Sequence, residues 1–176
     1  MKSSIISRNK KYTESIDAFL RQMSEYSDEQ LNRKPADGGW SAMQTMHHLI
    51  LSEEYSMSYI RKKMGFTSDF APIDWSARGR SFLLWASLKS PIKFKSPPAI
   101  GQEFLPEFAT LAETQKRWEA ARLTWEEFFD QMPDHLTDKL VYKHPRAGKI
   151  SWMHTLNFFE THFARHRKQA RRAAGI

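Results

Sequence analysis

The sequence of 176 residues contains no cysteine. Disulfide bonds, thiolate metal ligands and a cysteine nucleophile are therefore excluded. A bound metal ion would have to be held by histidine, aspartate or glutamate. Any thiol that takes part in a reaction would have to be supplied by another molecule.

Long apolar runs are also missing. No stretch approaches the roughly 18 uninterrupted apolar residues of a membrane span, so we expect no membrane partner. Residues 1–8 lack the apolar region of a signal peptide, which predicts a cytoplasmic protein. With 40% hydrophobic and 27% charged residues, the composition predicts a single globular domain over residues 1–176.

Basic residues outnumber acidic ones and give a net charge of +7. No base-reading motif accompanies them, and cations in the last turn of a helix also complement its dipole. We therefore interpret them as solvent-exposed charges and do not expect a nucleic-acid partner. They collect near the two ends of the chain, at Lys2, Arg8, Lys10 and Lys11 and at Arg165, Arg167, Lys168, Arg171 and Arg172.

Apolar residues recur at three- and four-residue intervals in four long segments, which predicts four amphipathic helices. Ser41 and Ser151 are natural N-caps, and Gly65 and Pro133 are stop signals. No convincing strand pattern separates the helices, so we expect an all-α fold, a four-helix bundle. The predicted helices cover about 9–26, 41–64, 107 or 110 to 132, and 152–173.

The helical periodicity fails between Phe66 and Pro106, where prolines interrupt the chain. The segment contains too many aromatic residues to be disordered. We expect it to form a long crossover between helices two and three, with a short helix at about 78–88. The interrupting residues are Pro72, Pro91, Pro97, Pro98 and Gly101.

His162 and His166 are four residues apart in the last helix, so one turn brings both imidazoles to the same face. That face also carries Trp152, Leu156 and Phe159 and is expected to be buried. Two imidazoles form half of a metal site. The alternative is an amphipathic helix with two ordinary buried histidines.

His48 is the third ligand that we favour, because it lies on a polar stripe of helix two that a bundle can place opposite helix four. His47 is the weaker choice, since it is rotated by about 100° around the axis. Three neutral imidazoles suit Zn²⁺, Ni²⁺ or Fe²⁺ and leave a position for water or substrate, as in catalytic sites. The stripe consists of Gln44, Thr45, His48, Ser52, Tyr55 and Tyr59.

Other polar and aromatic residues are assigned structural or supporting roles. Gln169, one turn beyond His166, either orients an imidazole or faces solvent. None of Glu53, Glu54 and Glu160 is assigned as a catalytic base, and the charges of helix three are interpreted as solvent-facing. We expect the tryptophans to form core and pocket wall; they are Trp40, Trp75, Trp85, Trp118, Trp125 and Trp152.

Several short motifs together resemble the DinB/YfiT-like superfamily over nearly the whole chain. They are Trp40-Ser41, His48-Leu49, His144-Pro145 with Gly148, and His162-x-x-x-His166-x-x-Gln169. The resemblance implies an up-up-down-down four-helix bundle and a divalent ion, Zn²⁺ or Ni²⁺, bound by His48, His162 and His166. It also implies frequent homodimers. Several members of the family act as transferases or isomerases that use thiols such as bacillithiol or mycothiol.

We therefore expect a metal-dependent transferase that uses a low-molecular-weight thiol, or a metal-dependent hydrolase, acting on a small-molecule substrate. The alternative is a non-catalytic stress-response or interaction bundle, with or without bound metal. His47 stands where many relatives have glutamate or an aliphatic residue, which leaves its contribution to the site open.

Overall fold

A computed structural model of the protein describes residues 1–90 and 100–176. Pro91, Pro97 and Pro98 of the expected crossover lie outside the described residues. The helices are α1 (Lys2–Met23), α2 (Asp28–Asn32), α3 (Ala42–Phe66), α4 (Trp75–Lys89), α5 (Leu111–Gln131) and α6 (Trp152–Ala174), with 3₁₀ turns at Gln102–Phe104 and Asp134–Leu136. A short antiparallel hairpin consists of β1 (Tyr142–His144) and β2 (Gly148–Ile150).

Side-chain caps determine where the long helices begin. The Ser41 hydroxyl accepts a hydrogen bond from the backbone of Gln44, whose side chain bonds back to the Ser41 amide. Thr110 starts α5 in the same way, and Ser151 caps α6. These caps satisfy amide groups that a helix leaves free in its first turn. The predicted starts of α3 and α6 are confirmed.

The buried apolar residues come mainly from α1, α3, α5 and α6. Helix α1 contacts α5 and α6, and α3 contacts the same two helices. Their shared core contains several large aromatic side chains, each of which contributes about 1.5–3 kcal/mol by leaving water. The largest are Trp118, Trp125, Trp152, Phe129 and Phe159.

Contacts made by α1 show how it runs relative to its neighbours. Lys2, at its start, bonds the carbonyl of Asp130 at the end of α5, so these two helices are antiparallel. In contrast, Arg8 bonds Glu160 near the middle of α6, and Phe19 near the end of α1 packs on Phe163 further along α6. Helices α1 and α6 therefore run in the same direction.

Helix α3 runs parallel to α5 and antiparallel to α6. Near its start, His47 contacts Thr114 early in α5, and Trp40, just before it, lies against His166 late in α6. The first and last long helices thus point one way and the middle two point the other. The prediction of an all-α protein is confirmed, because the chain is mostly helical, but the up-up-down-down order is not confirmed.

Several features differ from the sequence-based expectations. The β1–β2 hairpin lies where no strand was predicted. Helix α1 begins at Lys2 and not near Asn9. Trp75 is 83% exposed and belongs neither to the core nor to a pocket wall. The expected short helix is present as α4, which is longer than predicted.

Arg122 of α5 corrects the view that the charges of this helix face solvent. Its side chain is buried and forms an ion pair with the buried Glu53 of α3, with 2.6 Å between Nη1 and Oε2.

Within the described part of the chain, no helix is both long and apolar enough to span a bilayer.

Candidate metal centre

Two antiparallel helices bring three histidines together. His48 lies in the second turn of α3, where the capping box at Ser41 sets the start of the helix. His162 and His166 lie one turn apart on the inward face of α6. One ligand atom from each of the three lies within 4.8 Å of the other two. The structure thus places together the three histidines that the sequence singled out.

The spacing of the imidazoles suits a small metal ion. Nε2 of His48 lies 3.3 Å from Nε2 of His162. A tetrahedral ion with metal–nitrogen bonds of about 2.0–2.1 Å holds its ligand nitrogens about 3.3 Å apart. The ring of His166 completes the group, with centroids 4.9 Å from His48 and 4.5 Å from His162. Hence the residues present fit a three-histidine site.

Hydrogen bonds outside the cluster orient two of the rings. His48 Nδ1 lies 3.3 Å from the carbonyl oxygen of Ile100, and His166 Nδ1 lies 2.9 Å from Oε1 of Gln169. Both oxygens accept, so each Nδ1 carries the hydrogen and donates it. Each Nε2 is then left with a lone pair for the cluster. Such outer contacts commonly set the tautomer and aim of metal-binding histidines.

The surroundings keep these imidazoles neutral. Burial lowers the pKa of His48 to about 4. Burial, followed by repulsion from His48, lowers the pKa of His166 to about 3. Burial and then His166 hold the pKa of His162 well below its ordinary value. At neutral pH all three rings are unprotonated, as metal ligands must be.

Aromatic side chains form walls around the cluster. The indole of Trp40 lies 4.8 Å from the ring of His48 and 6.3 Å from that of His166, between centroids. Phe158 stacks on His162 at 5.2 Å and meets His144 edge-on at 4.4 Å. Trp40 was expected to be a pocket wall, and it covers part of two of the three rings.

His47 points away from the cluster. Its Nε2 lies 3.0 Å from the Thr114 hydroxyl, and its Nδ1 lies 3.4 Å from the guanidinium of Arg117, both on α5. The open question about His47 is therefore answered by the helix geometry, since the adjacent residue is turned toward a different neighbour.

The three glutamates considered in the sequence analysis pair with arginines and not with the three histidines. Glu54 pairs with Arg117 and Glu160 pairs with Arg8. Glu53 is enclosed by Arg122 and its neighbours. Among the described residues, the group that could hold a metal ion consists of His48, His162 and His166 and contains no carboxylate. An ion held by these three histidines would meet no carboxylate of the cluster among the described residues.

Two contacts of the site were not foreseen from the sequence. The carbonyl of Ile100 belongs to the backbone, so no side-chain pattern could indicate it. The approach of Trp40 to His166 depends on the antiparallel packing of α3 and α6, which periodicity does not specify. Gln169, for which both an orienting and a solvent-facing role were considered, contacts His166.

The fold and the site define an all-α protein with three converging histidines that can hold a metal ion. The chain belongs to the DinB superfamily, whose family model matches residues 11–170. Searches of curated proteins and of solved structures found no match.

Proposed function

We propose that the protein binds a divalent metal ion through Nε2 of His48, His162 and His166, with Zn²⁺ or Ni²⁺ as the expected ions. The observation that carries this proposal is the convergence of three neutral imidazoles on one point. Two of them are oriented by the hydrogen bonds that they donate to the Ile100 carbonyl and to Oε1 of Gln169. We also propose that the four long helices form a four-helix bundle.

We further propose that the protein is a transferase that uses a low-molecular-weight thiol, with metal-dependent hydrolysis as the close variant. A divalent ion on three neutral ligands lowers the pKa of a thiol or water at its open position. Among the described residues the cluster contains no carboxylate, which supports an anionic co-ligand such as a thiolate. The chain has no cysteine, so the thiol is a separate molecule.

The protein's own residues would then orient the ligand rings and keep water away from parts of the cluster. Ile100 and Gln169 hold two ligand rings, while Trp40 and Phe158 cover parts of the cluster with apolar surface. In the transfer, the thiol loses its proton to solvent and its sulfur bonds to an electrophilic carbon. The electron pair of the broken bond leaves with the departing group.

The first test is metal content. Protein purified without an affinity tag is expected to contain, or to take up, one Zn²⁺ or Ni²⁺ per chain in elemental analysis and calorimetric titration. His162→Ala is expected to lose this ion while keeping its helical circular dichroism spectrum. His47→Ala is the matched control and is expected to retain it. Full metal content in His162→Ala would contradict the site.

The second test is thiol transfer. The metal-loaded protein, mixed with a small thiol such as bacillithiol and an electrophilic aromatic halide, is expected to form the thioether faster than His162→Ala does. Metal binding without any transfer or hydrolysis would support the alternative, a non-catalytic bundle. Proposed homodimer formation is checked by light scattering of the same samples.

A further inference from the structure

Helix α4 presents an apolar face that no other described residue covers. Trp75 is 83% exposed, Phe82 63% and Leu83 67%. At 3.6 residues per turn, these three share one side of the helix with Gly79 and Ala86. The face runs along the helix, and three of its side chains are large and apolar.

The opposite side of α4 holds the helix in place. Ala77, Ser81 and Leu84 are buried there, and α4 packs against α6 and β2. Among the described residues, the fold therefore packs one side of α4 and leaves Trp75, Phe82 and Leu83 on the other side exposed. Exposed apolar side chains grouped in this way are typical of a contact surface.

Positive charge accompanies the apolar face. The helix carries Arg78, Arg80 and Lys89 and contains no acidic residue between its first and last positions. The guanidinium of Arg78 lies 4.7 Å from the ring centroid of Trp75. The ammonium of Lys89 lies 4.4 Å from that of Trp85. Asp74, just before the helix, is occupied in capping it.

The neighbouring hairpin adds two more cations in an unfavourable arrangement. Lys143 and Lys149 are exposed and lie directly opposite each other in the β1–β2 register. Like charges in opposed positions destabilise a hairpin. The hairpin adjoins α4, because Arg80 donates to the carbonyl of Lys149 at 3.1 Å. An anionic partner would relieve the repulsion between the two lysines.

We propose that α4 and the β1–β2 hairpin together form a docking surface for an anionic phospholipid membrane. Tryptophan, phenylalanine and leucine on one face, flanked by arginine and lysine, are the composition of helices that lie in a lipid headgroup region. The apolar side chains enter the interface, and the cations meet the lipid phosphates and carboxylates. Such binding needs no spanning helix, so it is compatible with the lack of long apolar runs on which the expectation of no membrane partner rests.

Other occupants fit this surface less well. A second copy of the chain would bring two sets of like cations together. Single-stranded nucleic acid would use the cations and the aromatic rings, but it would leave Leu83 without a matching surface. The membrane is the partner that accounts for both the aliphatic and the charged residues.

The test is co-sedimentation of the full chain with vesicles of phosphatidylcholine containing about one-third phosphatidylserine. Wild-type protein is expected to bind these vesicles, to bind pure phosphatidylcholine vesicles about tenfold more weakly, and to dissociate as salt rises. Two double variants test the two parts of the surface, Phe82→Ser/Leu83→Ser and Lys143→Glu/Lys149→Glu. Each is expected to bind the anionic vesicles at least about tenfold more weakly than wild type does.

Matched controls come from α5, where Leu123 and Lys116 are also exposed. Leu123→Ser and Lys116→Glu are expected to bind like wild type. The proposal is overturned by absence of binding to the anionic vesicles, or by equal loss in the α5 controls. It is also overturned if Phe82→Ser/Leu83→Ser dissolves a dimer while vesicle binding persists.

Discussion

Two buried polar clusters are anchored on α3, only five residues apart, and they differ in one respect. Around Glu53, the carboxylate accepts hydrogen bonds from Tyr12 at 2.8 Å, Trp118 at 3.2 Å and Arg122 at 2.6 Å. Around His48, three imidazoles turn lone pairs toward one another with no carboxylate among them. Both clusters are buried and polar.

The Glu53 cluster is closed. Arg122 also bonds Asn9 and Thr13, so its guanidinium is satisfied on several sides. Burial, and then the charge of Glu53, hold the pKa of Tyr12 well above its ordinary value, so its phenol keeps the hydrogen that it donates. A satisfied network of this kind specifies packing. The histidine cluster has acceptors left over, as the proposed metal site requires.

The largest effect is expected from breaking the closed cluster. Glu53→Gln removes the charge that Arg122 meets and should destabilise the protein by about 3–5 kcal/mol, because a buried cation is left unpaired. Chemical denaturation measures this loss. Metal affinity of the folded variant should stay near that of wild type. A large loss of affinity would mean that the two clusters act as one.

The paired variant Glu53→Leu/Arg122→Met sharpens this comparison. Removing both charges leaves no unpaired ion, so the double variant is expected to be more stable than Glu53→Gln. A double variant that is less stable than the single one would show that the network does more than neutralise two charges.

The second effect concerns the open cluster alone. Gln169→Ala removes the acceptor that fixes the tautomer of His166 and is expected to weaken metal binding by about 10–100-fold. Calorimetric titration of Zn²⁺ measures the change. Gln30, which bonds the carbonyl of Ala174, supplies the control variant Gln30→Ala. Equal weakening in both variants would mean a general loosening of the end of α6.

The third effect is a change in pH dependence. Burial, and then Arg146, lower the pKa of His144 from 6.5 to about 4. Between these values the unfolded chain binds a proton that the folded chain does not, so stability is fully present above pH 6.5 and falls toward pH 4. His144→Asn retains an acceptor that does not titrate. As the pH falls from 6.5 toward 4, the free energy of unfolding of this variant should fall less steeply than that of wild type. The difference in slope should be about 1.4 kcal/mol per pH unit.

This pH prediction is measured by denaturation at several pH values between 4 and 7. The Nδ1 of His144 accepts hydrogen bonds from the backbone amides of Arg146 and Ala147, which protonation would block. An unchanged slope in His144→Asn would assign the acid sensitivity to the other buried histidines.

The smallest effect is expected from the cap of the helix that carries both clusters. Ser41→Ala removes the hydroxyl that accepts from the Gln44 amide and should cost about 1 kcal/mol of stability. Thermal melting measures the loss, and Ser15→Ala, on the exposed face of α1, is the control. Because the cap stabilises all of α3, metal affinity in the folded state should change by less than it does in Gln169→Ala.

Much of the helical structure was predictable from local chemistry. The starts of α3 and α6 follow from Ser41 and Ser151, and the inward face of α6 follows from its apolar period. The start of α5 was narrowed only to residue 107 or 110. The hairpin was not predictable, because strands of three residues are too short to show alternation. Its residues His144 and Pro145 drew attention only as part of a motif.

The pairing of Glu53 with Arg122 was also hidden, since the two are 69 residues apart and a helical period does not distinguish a buried charge from an exposed one. His48, His162 and His166 were predicted from the four-residue spacing in α6, the polar stripe of α3 and the family resemblance. Their mutual placement could be expected, whereas the direction of the helices that achieves it could not.

The contact between His48 and His162 joins positions 114 residues apart in the chain. Closing so long a loop is entropically costly. Before the two helices dock, α3 would offer one of the proposed ligands and α6 the other two, so an ion would bind each part more weakly. An ion held there would act as a removable cross-link, and its capture would report, in real time, that the chain has completed its tertiary structure.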